Sequence, residues 1–494
     1  MKADTVVIGS GISGLTLAAL LAKYGRRVVV CERHSRPGGS IKRFRRGGIS
    51  FDTGFHYSGS LGRGELLWKL WEHIGIDRDI DIIPFPEEGH DLLVIGEEKL
   101  KVRAFFSYSR FMEELNTIFP NEKKAIESYF SMVEELCAQV PFYNPSLSHD
   151  SFHRDFFRFA NVNFMEYISG LTSDPSLHAV LSAPSFLYGV LPERANLAAH
   201  SRVAHSFYTG VCGIRGGGQA LVNALTAKIA GWGGEVISGF TVEKILEENG
   251  ETRGVVSGDG ETIEAREVVF SGNPKLLPGI LPGRAFRPAF LHRMSALEST
   301  MSMFMLFGAK PERELQELRW KNIWRMPSGF SLISPDRESR ESMVMISAPS
   351  VKEGDGTDKR EREVIIMAPA WWKQTSGFYR GKGRRGPGYD EWKEKRMESL
   401  IYTAGQVGIK DIRVMETATP CTFVDELASP EGGAYGVQHC LGQYNPGPVT
   451  RLRGFWLTGQ AIVLPGIVGA SLSSLVTAER MPGMEDVWKE IAAG

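Results

Sequence analysis

Near the start of this 494-residue chain, Asp4-Thr-Val-Val-Ile8 leads into Gly9-Ser-Gly11-Ile-Ser-Gly14, and the next apolar run, Val28 to Cys31, ends in Glu32. The pattern is a strand, a glycine turn, a helix from Leu15 to Lys23 and a second strand carrying an acid. Each position has a physical task. Gly9 permits the tight turn, Gly11 lets a pyrophosphate approach the backbone, Gly14 lets the helix lie close on the strand, and Glu32 accepts the ribose hydroxyls. The diphosphate would rest at the positive end of the helix dipole, a gain of about 0.3–1 kcal/mol. Three glycines alone recur by chance in turns; the strand before them, the helix after them and the acid at its offset together specify a dinucleotide site.

The residues that follow select the dinucleotide. Arg33 is followed by Arg36-Pro-Gly38-Gly39-Ser40, a basic stretch Lys42-Arg43-Phe-Arg45-Arg46, and then Phe51-Asp52-Thr53-Gly54-Phe55-His56-Tyr57-Ser-Gly59. A nicotinamide domain has no use for a second glycine pair directly after the ribose acid. A long FAD does, because its ribityl chain and ring cross a second backbone surface that side chains would block. The opening resembles the flavoprotein family that includes phytoene desaturases, carotenoid isomerases, retinol saturases and, more distantly, amine oxidases. The phrase Phe51 to Tyr57 is most similar to the isomerase and saturase branch, as are Thr419-Pro-Cys-Thr422-Phe and Ser429-Pro-Glu-Gly432-Gly433-Ala-Tyr435-Gly436, although turn formation alone explains much of those two.

That resemblance implies FAD held by Gly9, Gly11, Ile12, Ser13, Gly14, Glu32, Arg33, Gly38, Gly39, Ser40, Thr53, Gly54, Phe55 and His56 from the first segment. It adds Val242, Ser271 and Gly272 from the middle of the chain, and Gly459, Gln460, Ile467 and Val468 from its end. Gln460 stands where many relatives carry an acid. The helix after Pro465 is expected to point its N-terminus at the flavin carbonyl, where charge collects on reduction.

Composition bounds the rest. The 57 Lys and Arg offset 58 Asp and Glu, so no global field attracts nucleic acid. Cys31, Cys137, Cys212, Cys421 and Cys440 include no Cys-x-x-Cys pair, which argues against a disulfide framework and against a metal site and fits a reducing cytosol. Two uncharged runs, 5–22 and 454–478, are long enough to span a membrane, but glycines and Pro465 make both read as buried strand-turn-helix. No basic leader or cleavage site precedes the first strand, so no signal peptide is expected.

The predicted fold is α/β: a discontinuous Rossmann-like FAD-binding domain, with helices on both faces of a parallel sheet, plus an α+β substrate domain with a helical insertion. FAD segments are expected at 1–75, 213–280 and 452–494, and substrate-domain segments at 76–212 and 281–451. Strands are predicted around Leu92 to Ile95, Lys99 to Val102, Glu235 to Ile237, Val242 to Ile245, Glu267 to Phe270, Met301 to Phe307 and Val364 to Pro369. Helices are predicted at Leu66 to Ile74, Ala220 to Ala230 and Tyr389 to Gln406, with a hairpin turn at Asp259-Gly260. Gly381-Lys-Gly383-Arg-Arg-Gly386 matches the dinucleotide pattern by letter, but no strand feeds it and no helix opens on it; a solvated basic loop is expected there.

His56 and Tyr57 are the candidate catalytic groups. A histidine moves protons near neutral pH, and a tyrosine can polarise a polyene, as proton addition paired with hydride transfer requires. The competing reading is that His56 hydrogen-bonds backbone or flavin and Tyr57 packs. His205 and Tyr208 are weaker candidates. The segment 152–167 gathers Phe152, Phe156, Phe157, Phe159, Phe164 and Tyr167 beside His153, Arg154 and Arg158, which suits either a core helix or peripheral membrane contact. The resemblance therefore implies a cytoplasmic FAD oxidoreductase, able to lie on the inner face of a membrane, that desaturates, saturates or isomerises double bonds of a long apolar polyene or isoprenoid. Transient NAD(P)H or a quinone would be its electron partner. The alternatives are an amine-oxidase-like enzyme and a non-catalytic prenyl-binding escort.

Overall fold

Five short parallel strands, in the order Glu235–Ser238, Val28–Glu32, Thr5–Ile8, Glu267–Phe270 and Phe455–Leu457, form the first sheet of the computed structural model, which describes residues 1–144, 147, 159, 161–329, 343–353 and 360–493. The strands come from three distant stretches of chain. Parallel order needs a crossover between neighbours, and helices Ile12–Lys23 and Gly218–Gly231 supply two. The three inner strands are buried along nearly their whole length and read as Val- and Ile-rich runs rather than alternating sequence. Their carboxyl ends, at Gly9, Glu32 and Ser271, open on one side, where open α/β sheets place ligands.

A second sheet has seven strands, in the order Arg413–Ala418, Ser302–Pro311, Glu361–Ala370, Val344–Ser347, Asn322–Met326, Asp91–Ile95 and Leu100–Ala104. Its two faces divide by the period of two. Phe304, Leu306, Ile366 and Ile346 pack with Leu400 and Ala404 of helix Tyr389–Gln406. Met305, Met367, Met345 and Trp324 face the opposite core, which helices Tyr108–Ile118, Lys123–Ala138 and Leu197–Thr209 complete.

Both apolar runs resolve as strand, turn and helix: Thr5–Ile8 with Ile12–Lys23, and Phe455–Leu457 with Gly466–Ala478. No helix among the described residues is long and apolar enough to cross a membrane. Of segment 152–167, residues 152–158 and 160 lie outside the described residues. Phe164 is fully buried and stacks on His200 at 3.7 Å between centroids. The middle hairpin extends further than expected. Val242–Glu248 turns through Asn249 (φ 54°) and Gly250 (φ 78°) into Glu251–Ser257 before the Asp259-Gly260 turn.

The basic loop 381–386 is exposed at Lys382, Gly383 and Arg384, as expected, and is also anchored. Gly383 N and Arg385 Nη2 reach Asp425 Oδ2 at 3.0 and 2.7 Å, and Tyr379 donates to Asp425 Oδ1 at 2.8 Å. Asp425 belongs to helix Pro420–Leu427, so this loop braces a helix that walls the site described next.

Candidate active site

The glycine turn is built by close approach. A Cβ on Gly14 would sit 2.1 Å from the Gly9 carbonyl oxygen, and Gly9 itself turns at φ +99°. Ser271 Oγ, at the neighbouring strand end, lies 2.9 and 3.0 Å from the carbonyls of Ile8 and Gly9 and locks the turn. Helix Ile12–Lys23 begins at Gly11 with no side-chain cap and no acid in its first turn, leaving its first N–H groups for an anion. Glu32 is buried at the adjoining strand end, where Ser10 N and His34 N donate to its carboxylate at 3.1 and 2.7 Å. Around these residues lies a cleft of about 650 Å³, lined by Gly9, Gly11, Glu32, Arg33, Gly39, Ser40, Val242, Ser271, Gly272 and Gln460.

A second cavity of about 490 Å³ adjoins it and shares Ser40, Lys42 and Gln460 with it. Its lining combines Ile12, Thr53, Gly54, His56 and Ile467 with Met303, Met305, Phe307, Met367, Phe423 and Tyr435. A smaller space of about 130 Å³, lined by Gly54, Phe55, His56, Tyr57, Met345, Met367 and Val468, continues inward. The uncapped start of helix Gly466–Ala478 borders both.

His56 stands at the junction of these two spaces. Burial, with the charge of Lys352, pushes its pKa down to about 3, so the imidazole does not titrate near neutral pH as the sequence suggested. Its Nδ1 is buried without a partner among the described residues and is free to bond a ligand. Tyr57 donates to Asp91 Oδ2 at 2.8 Å, and burial and that carboxylate drive its pKa well above the ordinary phenol value. Asp91 Oδ1 also accepts from Asn322 Nδ2 at 2.7 Å. Behind them, Arg43 pairs with Asp52 at 2.8 Å, Asp52 N donates to Glu363 at 3.0 Å, and Lys352 Nζ lies 4.9 Å over the Phe85 ring. Burial raises the pKa of both Asp52 and Glu363 and lowers that of Lys352 to about 8.

Some expected site residues shape the cleft without lining it. Ser13 Oγ faces inward to Thr458, Ser473 and Ser474 at 2.9 to 3.3 Å, which ties the first helix to the last strand and helix. Gly14 packs on the turn, Gly38 N donates to Ser10 O at 3.1 Å, and Gly459 N donates to Ser473 Oγ at 2.9 Å. His205 lies away from all three spaces, against the Tyr143 ring and the Tyr108 hydroxyl, and Tyr208 bonds Tyr129 in the core at 3.2 Å. Lys42 was missed as a site residue. It is buried, and burial lowers its pKa, yet it borders both large cavities; its place in a basic run hid it among solvated neighbours.

A family model for flavin-containing amine oxidoreductases matches residues 12–367. The chain belongs to that family. As a member it is a flavin-dependent oxidoreductase. An all-trans-retinol 13,14-reductase of Danio rerio is 27% identical over 96% of this chain and 84% of its own length. Prolycopene isomerase 2 of an Oncidium hybrid cultivar is 25% identical over 97% and 83%. An oxidoreductase from Methanosarcina mazei has the same fold, with a TM-score of 0.69 at 16% identity over 97% of this chain and all of its own.

Proposed function

We propose that the flavin is FAD and that the protein saturates or isomerises carbon-carbon double bonds of a long apolar polyene. The observation that carries the reading is the set Met303, Met305, Phe307, Met367 and Phe423, which lines, with His56, the cavity adjoining the nucleotide cleft and offers an apolar chain polarisable contacts. The two named relatives act, by their names, on retinol and prolycopene, both polyenes.

In this reading Glu32, held by Ser10 and His34, binds the ribose hydroxyls, and the start of helix Ile12–Lys23 binds the pyrophosphate. The cofactor-binding unit combines 1–75, 213–280 and 452–494. The flavin supplies hydride exchange with the double bond. The N-terminus of helix Gly466–Ala478 stabilises negative charge beside it. His56, neutral above about pH 3, hydrogen-bonds through Nδ1 rather than storing a proton. Tyr57, with its hydroxyl committed to Asp91, walls the inner space and keeps water out. A ligand so apolar resides in membranes, and peripheral attachment of a cytosolic enzyme, with NAD(P)H or a quinone as electron source, completes the proposal.

The test is anaerobic. The purified protein carries a yellow cofactor whose acid-released form is FAD; after photoreduction it is mixed with all-trans-retinol and with cis-carotenes. A saturated product with reoxidised flavin marks a reductase, and a geometric isomer with flavin still reduced marks an isomerase. Bleaching of oxidised flavin by amines, with no response to any polyene, would overturn the reading in favour of an amine oxidase.

A further inference from the structure

The register of the seven-stranded sheet lines up one row of side chains across it. Ala418 pairs with Met305, Met305 with Met367, Met367 with Met345, and Met345 with Trp324. All five are buried on one face. Ala418, Met305 and Met367 line the 490 Å³ cavity, and Met367 and Met345 line the small space beyond His56. The row therefore runs along the floor of both spaces, from a polar mouth at Arg36, Arg46 and Glu416 to the inner end. There the character of the row changes. Trp324, 2% exposed, follows Met345, and its ring meets Phe186, itself 1% exposed and lining the small space, edge-on at 5.6 Å between centroids.

Resting on the apolar-chain reading above, we propose that Trp324 and Phe186 form an end-stop that limits how much of an isoprenoid can enter, to about three isoprene units. Neighbouring strands are about 4.8 Å apart, so the three steps from Ala418 to Met345 span roughly 14 Å. At roughly 1.2 Å of advance per chain carbon, from bonds of about 1.3–1.5 Å, that length takes about twelve backbone carbons. Methionines along the floor adapt to bent as well as straight chains, whereas two interlocked aromatic rings do not yield. The end-stop thereby sets which double bond of the chain lies beside His56 and the flavin. A substrate longer than the track leaves its surplus at the polar mouth.

The experiment measures binding to the oxidised holoenzyme, read from the shift of the flavin absorption band, for all-trans prenyl alcohols of two, three, four and six isoprene units. In the native protein each added unit tightens binding by at least about tenfold until the track is full, since a buried methylene is worth about 0.8 kcal/mol, and affinity is flat beyond about three units. Trp324→Ala opens roughly one strand spacing and moves the plateau one unit longer; Met345→Trp moves it one unit shorter. Phe186→Leu, a smaller change, also lengthens it and serves if the larger substitutions fail to fold, which flavin content and melting temperature report. A plateau that stays in place in the folded variants, or affinity that keeps rising through six units in the native protein, overturns the end-stop. Absence of any spectral response to every alcohol and to all-trans-retinol overturns the apolar-chain reading itself.

Discussion

Replacing Lys352 with Met should stabilise the protein at neutral pH and lose that advantage as the pH rises. Lys352 is 5% exposed, its Nζ has no hydrogen-bond partner among the described residues, and it lies over the Phe85 ring. Burial lowers its pKa from 10.5 to about 8, against the attraction of Asp91, Glu363 and Asp52. Below that lower value the amine is charged in both folded and unfolded chains, and the full cost of burying an ammonium is present. Between the two values the unfolded chain binds the proton and the folded chain does not, so stability rises with pH; above both, no cost remains. At 1.36 kcal/mol per unit, the shift amounts to about 3 kcal/mol. The unbranched thioether of Met fills nearly the same volume without the charge. Urea denaturation midpoints of both proteins, followed by tryptophan fluorescence between about pH 7 and pH 10, give the comparison. The variant's advantage should be largest at the acid end and shrink by about 2.5 kcal/mol by pH 10, where the unfolded amine is still largely protonated. Curves that run parallel across that range would refute a charged, unpaired Lys352 in the folded state.

Three further outcomes follow from the geometry. Gly14→Ala places a methyl 2.1 Å from a backbone oxygen that no rotamer can move, so the variant should purify colourless or insoluble, as absorbance at the flavin band will show. Glu32→Gln keeps the shape but removes the charged acceptor at the proposed ribose site, and flavin affinity measured by fluorescence titration should fall about tenfold or more, for a loss of about 1.5–3 kcal/mol; unchanged affinity would move the ribose elsewhere. Tyr57→Phe leaves Asp91 with one donor fewer in a buried site and should cost about 1–3 kcal/mol of stability in thermal melts, with flavin content retained because Tyr57 borders only the inner space.

Local signals carried much of this protein. Helix Tyr389–Gln406 has the bounds its sequence predicts, and the first strand, glycine turn and helix stand where glycine spacing and apolar runs place them. Such features depend on contacts a few residues apart, so spacing along the chain encodes them. The Asn249-Gly250 turn is equally local, an Asn-Gly pair at positive φ. Loop 381–386 shows the limit: its composition gives a solvated turn, which its exposure matches, but the anchor at Asp425, forty residues on, has no signal in the local sequence.

Residue spacing alone specifies a dinucleotide fold, an acid at the end of its second strand and a second glycine phrase beyond it. Packing in three dimensions, by contrast, keeps His56 neutral, brings Lys42 to the border of both large cavities, and sets Met305, Met367 and Met345 side by side. These properties depend on burial and strand register, which join residues as far apart as Met305 and Met367 and leave no periodic trace in the chain.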